Sequence, residues 1–209
     1  VVMLCDLGRL AYQLGDVTTA RSALEEAVPA GVSSRLAALD DPALPFTLLG
    51  AIYEQSAEHA AALAAYKHAI ALAPSRSDLC VRLGLCCLAL GQPEAAIAAL
   101  RDVAERDLDN IALQKAMGQA YASAQLWDEA LLALEQASRL APDDHHTLQE
   151  LANAARRAGN KSRAADALRQ AVELAPEDVN CLRDLADLLA ADGKHADARA
   201  IYLKAHQAA

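Results

Sequence analysis

The chain has very little aromatic bulk. Of 209 residues one is tryptophan, one phenylalanine and five tyrosine, 3% in all, although 54% are hydrophobic. So little ring volume argues against a β-sandwich or barrel core and for thin helices packed closely. Alanine, roughly a quarter of the chain, supplies much of the hydrophobic fraction. Basic charge is short as well: 19 Lys and Arg stand against 28 Asp and Glu, for a net charge of −9. Nucleic-acid binding by counterion release needs a basic surface, so no nucleic acid is expected as a partner. No apolar run is long enough to span a bilayer, and no charged segment precedes a short apolar one as in a signal peptide; no membrane insertion is expected.

Five cysteines, Cys5, Cys80, Cys86, Cys87 and Cys181, are odd in number and form no CxxC pair. A disulfide framework is not expected, and a reducing, cytoplasmic setting fits better. The chain opens on Val-Val rather than Met and stops within an alanine-rich helical pattern, which reads as a piece cut from a longer protein.

Reactive constellations are also missing. There is no GxSxG, no P-loop and no glycine-rich nucleotide fingerprint, so neither catalysis nor a cofactor is expected. Six histidines have no metal spacing. The adjacent His145 and His146 are expected on different faces of a helix start, in solvent. His68 and His206 have no second ligand three or four residues away, and His59 and His195 fall at turns.

What the chain does have is a period. Leu-Ala-Pro stands at 72–74, 140–142 and 174–176, thirty-four residues apart or twice that. Aligned on it, small residues recur at position 8 (Gly8, Gly50, Gly84, Gly118, Ala152, Ala186) and at position 20 (Ala20, Ala62, Ala96, Ala130, Ala164, Ala198). Position 24 carries Leu24, Tyr66, Leu100, Leu134, Leu168 and Tyr202. Position 4 is apolar except for Gln114. Spacings of three and four mark one face of a helix, and small residues recur where two helix backbones touch. Glycine at 15, 91, 159 and 193 breaks the pattern in mid-repeat, as a glycine just past a helix end does. The pattern predicts tight helical hairpins stacked on copies of themselves.

This pattern resembles the tetratricopeptide repeat family, whose signature pairs Leu-Gly with a Tyr three residues on. LGAIY at 49–53 matches it fully and MGQAY at 117–121 nearly so, while Pro74, Pro142 and Pro176 sit where that family ends its second helix. The resemblance covers almost the whole chain in six repeats: 1–34, 43–76, 77–110, 111–144, 145–178 and 179–209. It implies an all-α fold, a right-handed superhelix (α-solenoid) of antiparallel helix pairs. Between repeats one and two an insertion at 35–42 lengthens the period. It is either a tolerated loop or a flap over a neighbouring groove, with Asp41-Pro42 predicted as an N-cap followed by the first helical residue.

The resemblance further implies a concave groove lined by the first helix of each repeat. Its positions give an apolar half, with Leu44 and Leu48 in repeat two and Val81, Leu85 and Leu88 in repeat three. A polar half follows, with Lys115, Gln119, Glu150, Asn153, Arg156, Arg157 and Arg183. The stretch DLCVRLGLCCLAL is apolar nearly all round, and either neighbouring helices or a partner must cover it. Chaperone-binding relatives grip a carboxylate with Lys and Asn residues; here Glu150 and Asp184 stand in those places and would repel it. The expected role is therefore a non-catalytic scaffold that binds a peptide or partner protein in the groove. Alternatives are a regulatory or substrate-presenting arm of a larger enzyme such as a transferase, and a scaffold that associates end to end through its uncapped last helix.

Overall fold

Twelve helices and no strand make up the residues that the computed structural model describes, 1–28 and 39–208. They divide into two compact units, Val1–Arg106 and Asp107–Ala209. The first unit holds α1 (Val2–Gln13), α2 (Val17–Ala27), α3 (Leu44–Gln55), α4 (His59–Leu72), α5 (Ser77–Ala89) and α6 (Pro93–Ala104). The second holds α7 (Ile111–Ser123), α8 (Trp127–Leu140), α9 (His145–Arg157), α10 (Lys161–Leu174), α11 (Val179–Ala191) and α12 (His195–Ala208). Each odd-numbered helix pairs with the next across a three-residue turn, and successive hairpins pack on one another within each unit. The architecture is an α-solenoid of antiparallel helix pairs.

The periodic small residues set the approach of the two helices in a hairpin. A Cβ on Gly50 would stand 2.5 Å from the ring of Tyr66, and one on Gly118 would stand 2.5 Å from Cγ of Leu134. Position 8 of one helix thus receives position 24 of its partner, and both Tyr66 and Leu134 are buried. The alanines at position 20 are sealed completely, from Ala20 to Ala164. Gln114, the polar exception at position 4, is also buried and donates from Nε2 to the carbonyl of Leu108 at 3.3 Å, which satisfies its amide.

First helices close on left-handed residues. At Gly15, Gly91, Gly159 and Gly193 φ lies between 69° and 79°. Each accepts the turn that returns orphan amides to the last carbonyls, as Gln92 N–H does to Cys87 O at 2.9 Å. Two hairpins make the same turn without glycine, at Ala57 (φ 58°) and Gln125 (φ 61°). A left-handed L-residue is disfavoured by about 1–2 kcal/mol, offset in part by the greater freedom of an unfolded glycine. Ala57→Gly should therefore stabilise the chain by about 0.5–1 kcal/mol and raise its melting temperature by a few degrees. An unchanged or lowered transition in a thermal melt would sink that expectation.

Asp16, Asn110, Asp144, Asn160 and Asp178 cap the helices that follow them through their side-chain oxygens. Asp41 does not do so in the predicted way. Helix α3 begins at Leu44 with Ala43 at its N-cap, and Pro45 rather than Pro42 occupies its first turn. Asp41 instead accepts the Ala43 N–H at 3.0 Å and closes the turn before the helix. Of the insertion at 35–42, residues 35–38 lie outside the described residues. His145 and His146 also depart from expectation: their rings stack face to face, centroids 5.4 Å apart. The five cysteines are all buried, and none is in a disulfide. Among the described residues no helix is long and apolar enough to cross a membrane, and no group of three His, Cys, Asp or Glu could hold a metal.

Candidate functional site

The expected contact residues fall on both compact units, and the structure treats them differently. On the first unit, α5 lies between α4 and α6 and is enclosed over most of its circumference. Leu79, Cys80, Cys86 and Cys87 are buried, and so is Val81 at 8% exposure. Val81, expected as part of an apolar wall, offers little surface because α4 and α6 pack against α5. Leu85 remains 38% exposed and Leu88 half-buried. Leu44 and Leu48, half-buried on α3, line a cavity of about 270 Å³ together with Cys5 and Arg9; Leu85 and Leu88 do not line it.

The polar anchors of the first unit are spent on its own structure. Glu54 on α3 accepts from the Tyr66 hydroxyl at 2.7 Å and from Arg82 at 2.8 Å, and lies 3.6 Å from Cys86 Sγ. Burial beside this carboxylate pushes the Cys86 thiol up to about 12, which leaves it protonated and unreactive. Arg21 forks onto Glu58 and packs over Tyr53 at 5.0 Å.

On the second unit five expected residues meet in one place, Glu150 among them. Gln119 from α7 and Asn153, Arg156 and Arg157 from α9 line a cavity of about 380 Å³. The turn between α7 and α8 brings Trp127 into the same wall, with Ala122 and Leu134 behind it. The Arg157 guanidinium sits 6.0 Å from the Trp127 ring centroid, at the limit of a cation–π contact. Asn153 accepts from Arg156 at 3.1 Å. Gln119 Nε2 donates to Glu150 Oε1 at 2.7 Å, whereas the other oxygen, Oε2, is buried with no hydrogen-bond partner among the described residues. The cavity therefore combines an apolar wall with two exposed arginines.

Lys115 and Arg183 do not line this cavity. Lys115 bonds Asp144 at 2.7 Å, which helps hold that carboxyl down at about 2. Arg183 reaches Asn180 at 3.0 Å and stays exposed. Trp127 is the cavity residue that the repeat period gives no hint of. Its one available signal is that it is the sole tryptophan of the chain.

Comparison with known proteins agrees with this architecture. Models of the tetratricopeptide repeat match residues 54–120 and 150–209. The human "Protein O-mannosyl-transferase TMTC1" is 25% identical over 210 residues, which takes in 99% of this chain; the chain spans only 23% of that protein's length. A tetratricopeptide repeat protein from Parabacteroides merdae superposes with a TM-score of 0.77 at 18% identity, covering 99% of this chain and 79% of that one. YrrB, described as a TPR protein with an unusual peptide-binding site, gives 0.73 at 18% identity, over 86% of this chain and 88% of that one. Likenesses at this identity establish the fold.

Proposed function

The chain belongs to the tetratricopeptide repeat family, and from that footing we propose that it is a non-catalytic scaffold that captures a peptide segment of a partner protein on its second compact unit, at the cavity between α7, α8 and α9. The observation that carries this reading is the cavity of about 380 Å³ where Gln119, Asn153, Arg156 and Arg157 converge with Trp127. Tryptophan and arginine are the residue types that dominate binding hot spots, because they offer broad contact area at little entropic loss. A structural relative described as having a peptide-binding site supports a peptide as ligand.

One anchor is not enough. A fully buried apolar side chain contributes roughly 1.5–3 kcal/mol, while micromolar affinity needs about 8 kcal/mol. Lys115 and Arg183 on the second unit are proposed as flanking polar contacts, and Leu44, Leu48, Leu85 and Leu88 on the first as separate apolar ones.

Selection of a random peptide library on the purified chain tests the reading. Selected peptides, labelled and followed by anisotropy, should bind Trp127→Ala about tenfold or more weakly, the loss of roughly one anchor. Peptides that bind the variant as tightly as the unaltered chain would place capture elsewhere and defeat the reading. A second reading, an arm of a larger transferase, is supported by the match to 23% of a mannosyl-transferase. A full reading frame with no appended catalytic domain would dismiss it.

A further inference from the structure

Positions 3, 7 and 10 of the repeat form a stripe along each first helix, at the three- and four-residue spacing of one helix face. In the later hairpins of each unit this stripe is the surface on which the preceding second helix sits: α2 packs on α3, α4 on α5, α8 on α9 and α10 on α11. Pro45, Leu49 and Ile52 are buried there on α3, and Cys181, Leu185 and Leu188 on α11. On α1 the same three positions are Met3, Leu7 and Leu10, and they are 85%, 47% and 54% exposed. A hairpin that ends a solenoid carries a polar outer face, whereas this one carries the apolar residues of an interior hairpin. We infer that the face is the seat of a further helical hairpin of the same repeat, supplied ahead of α1 by the same polypeptide. The inference does not rest on the peptide-capture reading.

The covering helix has a defined chemistry, carried by positions 21, 24 and 28. Leu63, Tyr66 and Ile70 cluster with Leu79 and Cys86, and Ala165, Leu168 and Val172 pack with Leu185 and Leu188. The last helix, α12, brings Arg199, Tyr202 and His206 at those positions, all exposed. Arg21 holds the first of them on α2, where Glu58 and the Tyr53 ring receive it. In the first hairpin Asp16 and Ala11 stand where Glu58 and Tyr53 do, and Asp16 already caps α2. A guanidinium and an imidazole set against Met3, Leu7 and Leu10 would lose water with no ring and no free carboxylate to receive them, so the end of a second copy does not fit. A hairpin with apolar residues at all three positions does fit. On the thirty-four-residue period they fall about 14, 11 and 7 residues ahead of Val1.

All five cysteines are buried, so a cysteine placed on the stripe dominates thiol labelling. Met3→Cys in this chain should react quickly. In the chain extended through its own reading frame by one repeat it should react at least about tenfold more slowly, because a covered position labels only when the hairpins open. Leu132→Cys, at an exposed residue of α8, should react at one rate in both. Leu10→Cys repeats the test should Met3→Cys perturb α1, and circular dichroism checks that helicity is kept. Equal rates for Met3→Cys in the two chains would overturn the inference. So would protection in this chain alone that grows with its concentration, which puts a second copy on the face. The reading frame decides if the extended chain does not fold: a frame that opens at Val1, or charged residues at the three named positions, ends the inference.

Discussion

Tyr66→Ala is expected to lower the stability of the first compact unit by about 3–5 kcal/mol, the range for deleting a fully buried aromatic side chain. Tyr66 has no exposed surface, and its ring fills the space left by Gly50 on the facing helix, where an added Cβ would come within 2.5 Å. Truncation would leave a void along the line where α3 and α4 approach, and the glycine cannot fill it. The ring also touches the next hairpin's core, with Leu79 and Cys86 in the same cluster. Its hydroxyl adds a second, smaller effect by donating to Glu54 at 2.7 Å. Tyr66→Phe keeps the packing and gives up that bond alone, and Glu54 retains Arg82 at 2.8 Å, so about 1 kcal/mol should be lost. Chemical unfolding followed by circular dichroism separates the two. A Tyr66→Ala variant within about 1 kcal/mol of the unaltered chain would mean that the position-24 contact does not hold the hairpin together.

That contact was legible in the sequence because it recurs. Gly50 with Tyr66, Gly84 with Leu100 and Gly118 with Leu134 are the same pair written on a thirty-four-residue period, and a period exposes whatever packing repeats. Features that occur once escape it. Trp127 has no counterpart in the other hairpins, and its place in the cavity depends on the α7–α8 turn lying beside α9. Ala57 and Gln125 make glycine-type turns that local sequence gives no reason to expect. Val81 occupies a groove position by register, yet the helices around α5 decide its burial. The polar half of the candidate site was easier to read: Gln119, Asn153, Arg156 and Arg157 stand on turns of two first helices that the period had already placed. Their convergence, and the unpartnered oxygen of Glu150 among them, are properties of side-chain placement and come only from the structure.

Asp144→Ala should be the most damaging change at a turn of the second unit, at about 2–4 kcal/mol, because one carboxylate serves three partners. Oδ1 accepts from the backbone amides of His146 and Thr147 and so caps α9, the helix that carries Glu150, Asn153, Arg156 and Arg157. Oδ2 accepts from the fully buried Thr147 hydroxyl at 2.9 Å and from Lys115 at 2.7 Å. Loss of the cap costs about 1 kcal/mol, and an unsatisfied buried hydroxyl about 1–3 kcal/mol more. Asp144→Asn separates cap from charge: its side-chain oxygen can still accept from the helix, so the loss should be smaller and should fall mainly on the Lys115 pair. The same carboxyl sets an acid limit. Lys115 foremost, then the Thr147 hydroxyl and amide, hold it at about 2, below its ordinary 3.8. A depressed carboxyl contributes its stability above the unfolded value and loses it as pH falls from about 4 toward 2. The difference in stability between the unaltered chain and Asp144→Ala should therefore be full at neutral pH and shrink across that window. Unfolding curves at pH 7 and near pH 2.5 measure it; a difference that does not change with pH would show that the carboxylate's charge does not hold this turn, whatever its hydrogen bonds.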